Sequence, residues 1–132
     1  MKRAVLLLVA ALAALAVGCG GDDGDSTADA DDDQAAVEST INTWLFEGDC
    51  DVMTDKFLQA QTFESDPDKA CDLFETAFQE PQYTEDDVEI TDVQVTGDKA
   101  TAVVGGGGSD ITSTYTLVRV DGEWKIDAAE LD

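Results

Sequence analysis

The 132-residue chain contains no histidine. That removes the side chain whose charge changes nearest neutral pH, and with it the usual partner of a serine or cysteine nucleophile. Ser39, Ser65, Ser109 and Ser113 therefore stand without a base, and none lies in a G-x-S-x-G turn. Basic residues are scarce as well, 7 against 30 acids, for a formal charge of −23. A surface of that sign repels phosphate backbones and anionic headgroups, which argues against nucleic-acid binding and against a polybasic membrane contact. It keeps a protein soluble and self-repelling and suits high salt. No stretch follows the D-x-D-x-D-G calcium loop that closes on glutamate, so the acids alone assign no metal site. Only one long apolar run exists, Ala4 to Val17. Its reach of about 21 Å as a helix falls short of the ~30 Å hydrocarbon core, which excludes a permanent span.

What is present begins at that run. Lys2 and Arg3 precede it, and Ala16, Val17 and Gly18 lead into Cys19. A basic start, a short apolar middle and small residues at the end make an export signal. The string ending in Cys19 resembles the lipobox of prokaryotic lipoproteins, with Ala16 where leucine is usual. The resemblance implies diacylglyceryl transfer to the Cys19 sulfur and cleavage after Gly18. The mature chain would then be held by lipid on the extracytoplasmic face of the cell membrane. Residues 1–18 read as signal peptide, and residues 19–33 as the lipidated cysteine and an acidic, disordered tether. Gly20 to Asp33 lacks any large apolar residue to offset ordering entropy. Residues 34–132 read as one domain, enough for a single small core.

There are three cysteines. With Cys19 consumed by lipid, Cys50 and Cys71 remain, and an exported pair is expected as a disulfide. Two reduced thiols packed as small hydrophobes are the alternative. Two thiolates without histidine make a poor zinc site.

Within the domain, Val37, Ile41, Trp44 and Leu45 fall on one helical face, with Asp31 to Asp33 at its start and Gly48 as its stop. A second short helix is expected with Val52, Met53, Phe57 and Ala60 on one side. A third starts at Asp66-Pro67, carries Ala70, Leu73, Phe74, Ala77 and Phe78 as its stripe, and ends at Pro81. After Tyr83 the period becomes two. Val88, Ile90, Val93 and Val95 form a strand with a bulge near Asp92. Thr96-Gly97-Asp98 is a turn, and Ala100, Ala102 and Val104 mark the next strand. Gly105 to Gly108 read as a sharp bend or hairpin rather than a phosphate loop, because no lysine and no helix follow. Ile111 to Val120 is a third strand, Asp121-Gly122 a two-residue hairpin, and Trp124 and Ile126 share one face of a fourth. Helices first and a meander second give an α+β fold, N-terminal helices packed on a curved four-stranded antiparallel sheet.

The order W-L-F-E-G-D-C, a second cysteine in the third helix, V-T-G-D-K-A-T-A-V-V and then L-V-R-V-D-G-E-W-K-I resembles small lipoproteins of the nuclear transport factor two-like superfamily, especially those of actinobacteria. The resemblance covers Gln34 to Asp132. It implies a conical fold with a pocket at the wide end, and relatives that include ketosteroid isomerases, polyketide cyclases, dehydratases and non-catalytic binding domains. Asp49, Asp51, Asp55, Tyr83 and Tyr115 are the side chains that could serve as base or hydrogen-bond donor in such a pocket. In a chain this acidic, the aspartates are expected on the solvated surface and the tyrosines in strands or at the core edge. The expectation is a non-catalytic binding or scaffolding domain with no catalytic residue, metal or cofactor. Its partner would be a small apolar ligand, an envelope protein or a second copy met through the sheet. An isomerase-like or dehydratase-like enzyme is the alternative. An apolar cavity favours the first reading; an enclosed carboxylate beside a tyrosine hydroxyl favours the second.

Overall fold

The computed structural model describes residues 27–132. The export signal, the lipobox and Cys19 lie outside the described residues. The elements run in the order α1 (Thr27–Glu47), a 3-10 turn (Cys50–Val52), α2 (Asp55–Thr62), α3 (Pro67–Ala77), a second 3-10 turn (Glu85–Asp87), β1 (Val88–Thr96), β2 (Lys99–Gly106), β3 (Ser109–Val120) and β4 (Glu123–Leu131). The strands pair antiparallel in sequence order, so the architecture is α+β.

The core is where the periodicities meet. Val37 and Ile41 from α1, Ala100 and Ala102 from β2, Leu117 from β3 and Trp124 and Ile126 from β4 are all buried. Alternation is strictest in β2, which puts its alanines under the helices and its Thr101 outside. Small residues there let α1 approach the sheet closely. Register slips between Thr91 and Gln94, around Gly105 and between Thr116 and Leu117. Each such irregularity bends the strand that carries it. The Asp92 irregularity sits in the left-handed region at φ 50°. Beyond β4, Met53 makes a parallel bridge to Ile126, and the Thr54 amide donates to the Ile126 carbonyl at 2.9 Å. That partly covers the outer edge of the sheet, where backbone groups would otherwise be open to another chain.

The helical layer departs from the sequence pattern at three points. The acidic tether is expected to reach Asp33, whereas α1 starts at Thr27, so residues 27–33 are helical. Acids in a first turn favour the positive helix end, and a tertiary contact adds to this. Asp33 is half-buried and pairs with Arg119 at 2.6 Å, while the Trp124 indole donates to the same oxygen at 3.4 Å. In the second helix Ala60 is exposed and Leu58 takes its place in the core. Val52 and Met53 precede that helix rather than belong to it, because Thr54 caps it by accepting from the Phe57 amide. The third helix stops at Ala77, and Leu73 is 50% exposed. Its start is as expected, with Asp66 accepting from the amides of Asp68 and Lys69 and Pro67 in the first turn.

Gly48 terminates α1 at φ 64°, and a Cβ there would run into the Phe78 ring. The chain then turns into Cys50, which is bridged to Cys71 across a Cα separation of 5.5 Å. Cys50 is buried and Cys71 half-buried. The bridge ties the start of α3 to the turn after α1. α3 needs that tie, since Ala70 is the one residue of its helix in the buried core. Closing a sequence separation of 21 residues constrains the unfolded chain by about 3 kcal/mol on the loop-entropy model. The double variant Cys50→Ala/Cys71→Ala is therefore expected to lose about that much stability. The check is urea unfolding followed by far-UV circular dichroism, where the midpoint should fall well below that of the oxidised wild type.

Candidate functional site

The residues singled out for chemistry separate into two places. Tyr83 and Tyr115 line one cavity, of about 140 Å³, and Asp49 and Asp51 line a different groove. Asp55 is exposed in the first turn of α2. Among the described residues no carboxylate is buried.

The tyrosine cavity is built by three segments that are far apart in sequence. Leu45, from the end of α1, forms one wall. Val88, Val104 and Ile111 supply apolar surface from the sheet, and Gly105 to Gly107 line the cavity with backbone. Tyr115 and Ser113 point into it from β3, two residues apart on one face as a strand requires. Tyr83 arrives on the loop before β1 and stacks edge-on against Phe46, with ring centroids 5.8 Å apart.

The glycine run makes this closure possible. Gly106, Gly107 and Gly108 all have positive φ, so the β2–β3 turn folds tightly. The Gly107 amide donates to the Asp87 carbonyl at 2.8 Å. A Cβ on Gly107 would meet the Tyr83 ring at 3.3 Å, and one on Gly106 would collide with the Asp87 carbonyl. The turn therefore seats directly on the Tyr83–Asp87 segment. That segment is itself fixed locally. The Thr84 amide and hydroxyl both donate to Asp87, at 2.9 and 3.0 Å, and the amide bond first, then the hydroxyl, holds the Asp87 carboxyl below its usual range.

Behind the cavity lies an aromatic cluster. Trp44 meets Tyr115 edge-on at 5.3 Å and Phe57 at 6.1 Å. The Trp44 indole N–H is buried and has no hydrogen-bond partner among the described residues. An unpaired buried donor costs more than the same donor in water. The tyrosines are visible in sequence as a pair of candidates, while the contribution of Leu45, Ile111 and the glycine backbone has no local signature.

The acidic groove is larger, about 520 Å³, and open. It runs between α1, the Cys50–Val52 turn and the β3–β4 turn, with Ser39, Thr40 and Thr43 on one side and Asp49, Asp51 and Glu123 on the other. Trp124 lies at its base, but the Arg119 guanidinium covers the indole at 4.6 Å from the ring centroid. The aromatic face is thus occupied from within. The groove is an open junction between elements, whereas the smaller tyrosine cavity is lined by aliphatic, aromatic, serine and glycine residues and by no charged side chain.

No family model and no curated protein matches the chain. Among solved structures it is similar to an NTF2-like protein of unknown function from Shewanella baltica OS155, at 12% identity and a TM-score of 0.48, over 81% of this chain and 97% of that one. A likeness this slight supports no inference about function.

The Tyr115 hydroxyl is pushed up to about 12, by burial first and by the charge Tyr83 would carry second. A folded-state value above the unfolded one keeps its stabilising contribution below pH ~10 and loses it as pH rises through ~12. Stability is therefore expected to fall across pH ~10–12. In a tyrosinate absorbance titration, one of the two tyrosines should ionise late, and Tyr115→Phe should delete that late step.

Proposed function

We propose that this protein is a lipid-anchored, extracytoplasmic binding domain of nuclear transport factor two-like type, without catalysis of its own. In this reading Cys19 carries the acyl chains, the acidic segment after it spaces the domain from the bilayer, and the tyrosine cavity takes a small, mainly apolar molecule. The observation that carries the binding reading over an isomerase-like one is the lining of that cavity. Its side chains offer hydroxyls and hydrocarbon, and no carboxylate. Abstracting a proton requires a base within hydrogen-bonding reach of the bound molecule. A tyrosine whose hydroxyl stays neutral to about pH 12 serves as a donor rather than a base near neutral pH.

Size narrows the ligand. A volume of about 140 Å³ is close to the ~150 Å³ cavity that holds one benzene. A single six-membered ring carrying one acceptor fits the arrangement, with the ring against Leu45, Val104 and Ile111 and the acceptor at the Tyr115 hydroxyl. Benzene and cyclohexanone are matched probes for this. Both should bind saturably by chemical-shift titration. Tyr115→Phe should weaken cyclohexanone about 5–10-fold, the size of one hydrogen bond, and leave benzene unchanged. Saturable binding of neither probe would remove the cavity as a ligand site.

The anchor has its own test. Cys19→Ser is expected to leave the precursor uncleaved or to release the protein. Intact mass of the membrane-extracted wild type should show the acyl chains. Unmodified wild type found only in the aqueous phase of a detergent partition would overturn the anchored reading.

A further inference from the structure

The Cys50–Cys71 bridge sits among carboxylates. Glu75 follows Cys71 by one helical turn, and its Oε1 lies 3.6 Å from the Cys50 sulfur and 3.8 Å from the Cys71 sulfur. On the other side, the carboxylates of Asp49 and Asp51 and the Cys50 sulfur all lie within 4.8 Å of one another. The Asp49 side chain is held in place by accepting from the Asp51 amide at 2.8 Å. None of these three acids takes part in an ion pair among the described residues. The two cysteines are unequally exposed, Cys50 at 6% and Cys71 half-buried.

We propose that Glu75, Asp49 and Asp51 form an electrostatic guard that closes this disulfide to anionic thiols and leaves it open to cationic ones. Disulfides are reduced by thiolate attack through a mixed disulfide. The accessible target is the Cys71 sulfur. An incoming thiolate forms a bond to it, and the electron pair of the Cys50–Cys71 bond leaves on the Cys50 sulfur. A second reductant thiolate then attacks the reductant's own sulfur in the mixed disulfide and releases Cys71 as thiolate. Two electrons pass from two thiolates to the protein, the reductant leaves as its disulfide, and water supplies the protons. Both ends of the first step place negative charge beside Glu75. The departing charge on Cys50 also falls next to Asp49 and Asp51. A reductant that brings a positive group with its thiolate cancels this repulsion. The reductant class that fits is therefore a thiol flanked by ammonium or guanidinium groups, whether a small molecule or an oxidoreductase with a basic face.

The test compares glutathione with cysteamine on the oxidised full-length protein at low ionic strength. Disulfide loss is quenched by alkylation and read by intact mass, and each rate is expressed per thiolate. Cysteamine should be faster by about tenfold or more, as expected for several unit charges within a few ångströms in water. Raising salt to about 1 M shortens the screening length to ~3 Å, so it should speed glutathione and change the rate of cysteamine, whose ammonium offsets its thiolate, far less. Glu75→Gln should raise the glutathione rate about threefold and leave the cysteamine rate level or lower. Asp110→Asn, at the start of β3, makes the same change in net charge and should leave the ratio unaltered. Equal effects of the two substitutions would overturn the guard and assign the selectivity to overall charge. Salt responses of equal size for both reductants would overturn it as well. A variant that merely loosens the fold would accelerate both reagents together, which the ratio distinguishes from loss of repulsion.

Discussion

The disulfide between Cys50 and Cys71 is the constraint on which the helical layer depends. α1 is fixed to the sheet by burial, through Val37 and Ile41 against Leu117 and Ile126. α2 contributes Phe57 and Leu58 to the same core, whereas α3 contributes Ala70. One buried alanine offers little of the transfer energy that holds a helix in place, at ~25 cal/mol per Å² of apolar surface. The cross-link compensates by acting on the unfolded chain instead. It fixes the entry to α3 beside the exit from α1, and α2 is caught in the loop between them. Gly48 makes the geometry reachable, because only a left-handed residue without a Cβ lets the chain turn under the Phe78 ring.

Charge sets the second constraint. Thirty acids on 132 residues produce self-repulsion that works against any compact state. Two of the five bases among the described residues link elements distant in sequence. Arg119 reaches Asp33 on α1 and covers Trp124, and Lys56 reaches Asp127 on β4 at 2.8 Å. Hydrogen bonding from Lys56, helped by Thr54, holds the Asp127 carboxyl below its usual range despite partial burial. Exposed pairs of this kind contribute about 0–1 kcal/mol. Their value here is positional: each orders a junction between helix and sheet that hydrophobic contact alone leaves loose. Lys69 pairs with Asp66, the cap of its own helix, rather than joining layers.

Legibility in the sequence follows the range of the interaction that decides each feature. The Asp121-Gly122 hairpin, the Asp66-Pro67 helix start, the Asp92 bulge and the Gly48 stop are all decided within a few residues, and all four stand where the sequence puts them. The beginning of α1 is not legible. A run of aspartates reads as a solvated tether, and what makes its last turns helical involves Arg119, eighty-six residues away. The exchange of Ala60 for Leu58 has the same origin. An eight-residue helix has too few turns for its own periodicity to fix its rotation, so the Met53 bridge and the Thr54 cap set it. The disulfide can be read from cysteine parity, and the carboxylates beside it are local to the cysteines, with Asp49 and Asp51 flanking Cys50 and Glu75 one turn after Cys71.

The cavity shows most clearly how backbone shape determines what side chains can do. Tyr115 lies on the face of β3 that also carries buried Leu117, opposite the threonines that alternate with it, and it packs edge-on against Trp44. The β2–β3 turn adds a further wall by folding back onto Tyr83, and it can do so because Gly106 and Gly107 have no Cβ to strike the Asp87 carbonyl or the Tyr83 ring. Enclosure then changes the chemistry. With Leu45 and Val104 in place of water, ionisation becomes costly and the hydroxyl stays a donor far into alkaline pH. A glycine run is unfavourable to order, by roughly 0.5–1 kcal/mol per residue relative to alanine in regular structure. Such a cost is sustained where close backbone approach is needed, and in this fold the approach forms the wall of a cavity.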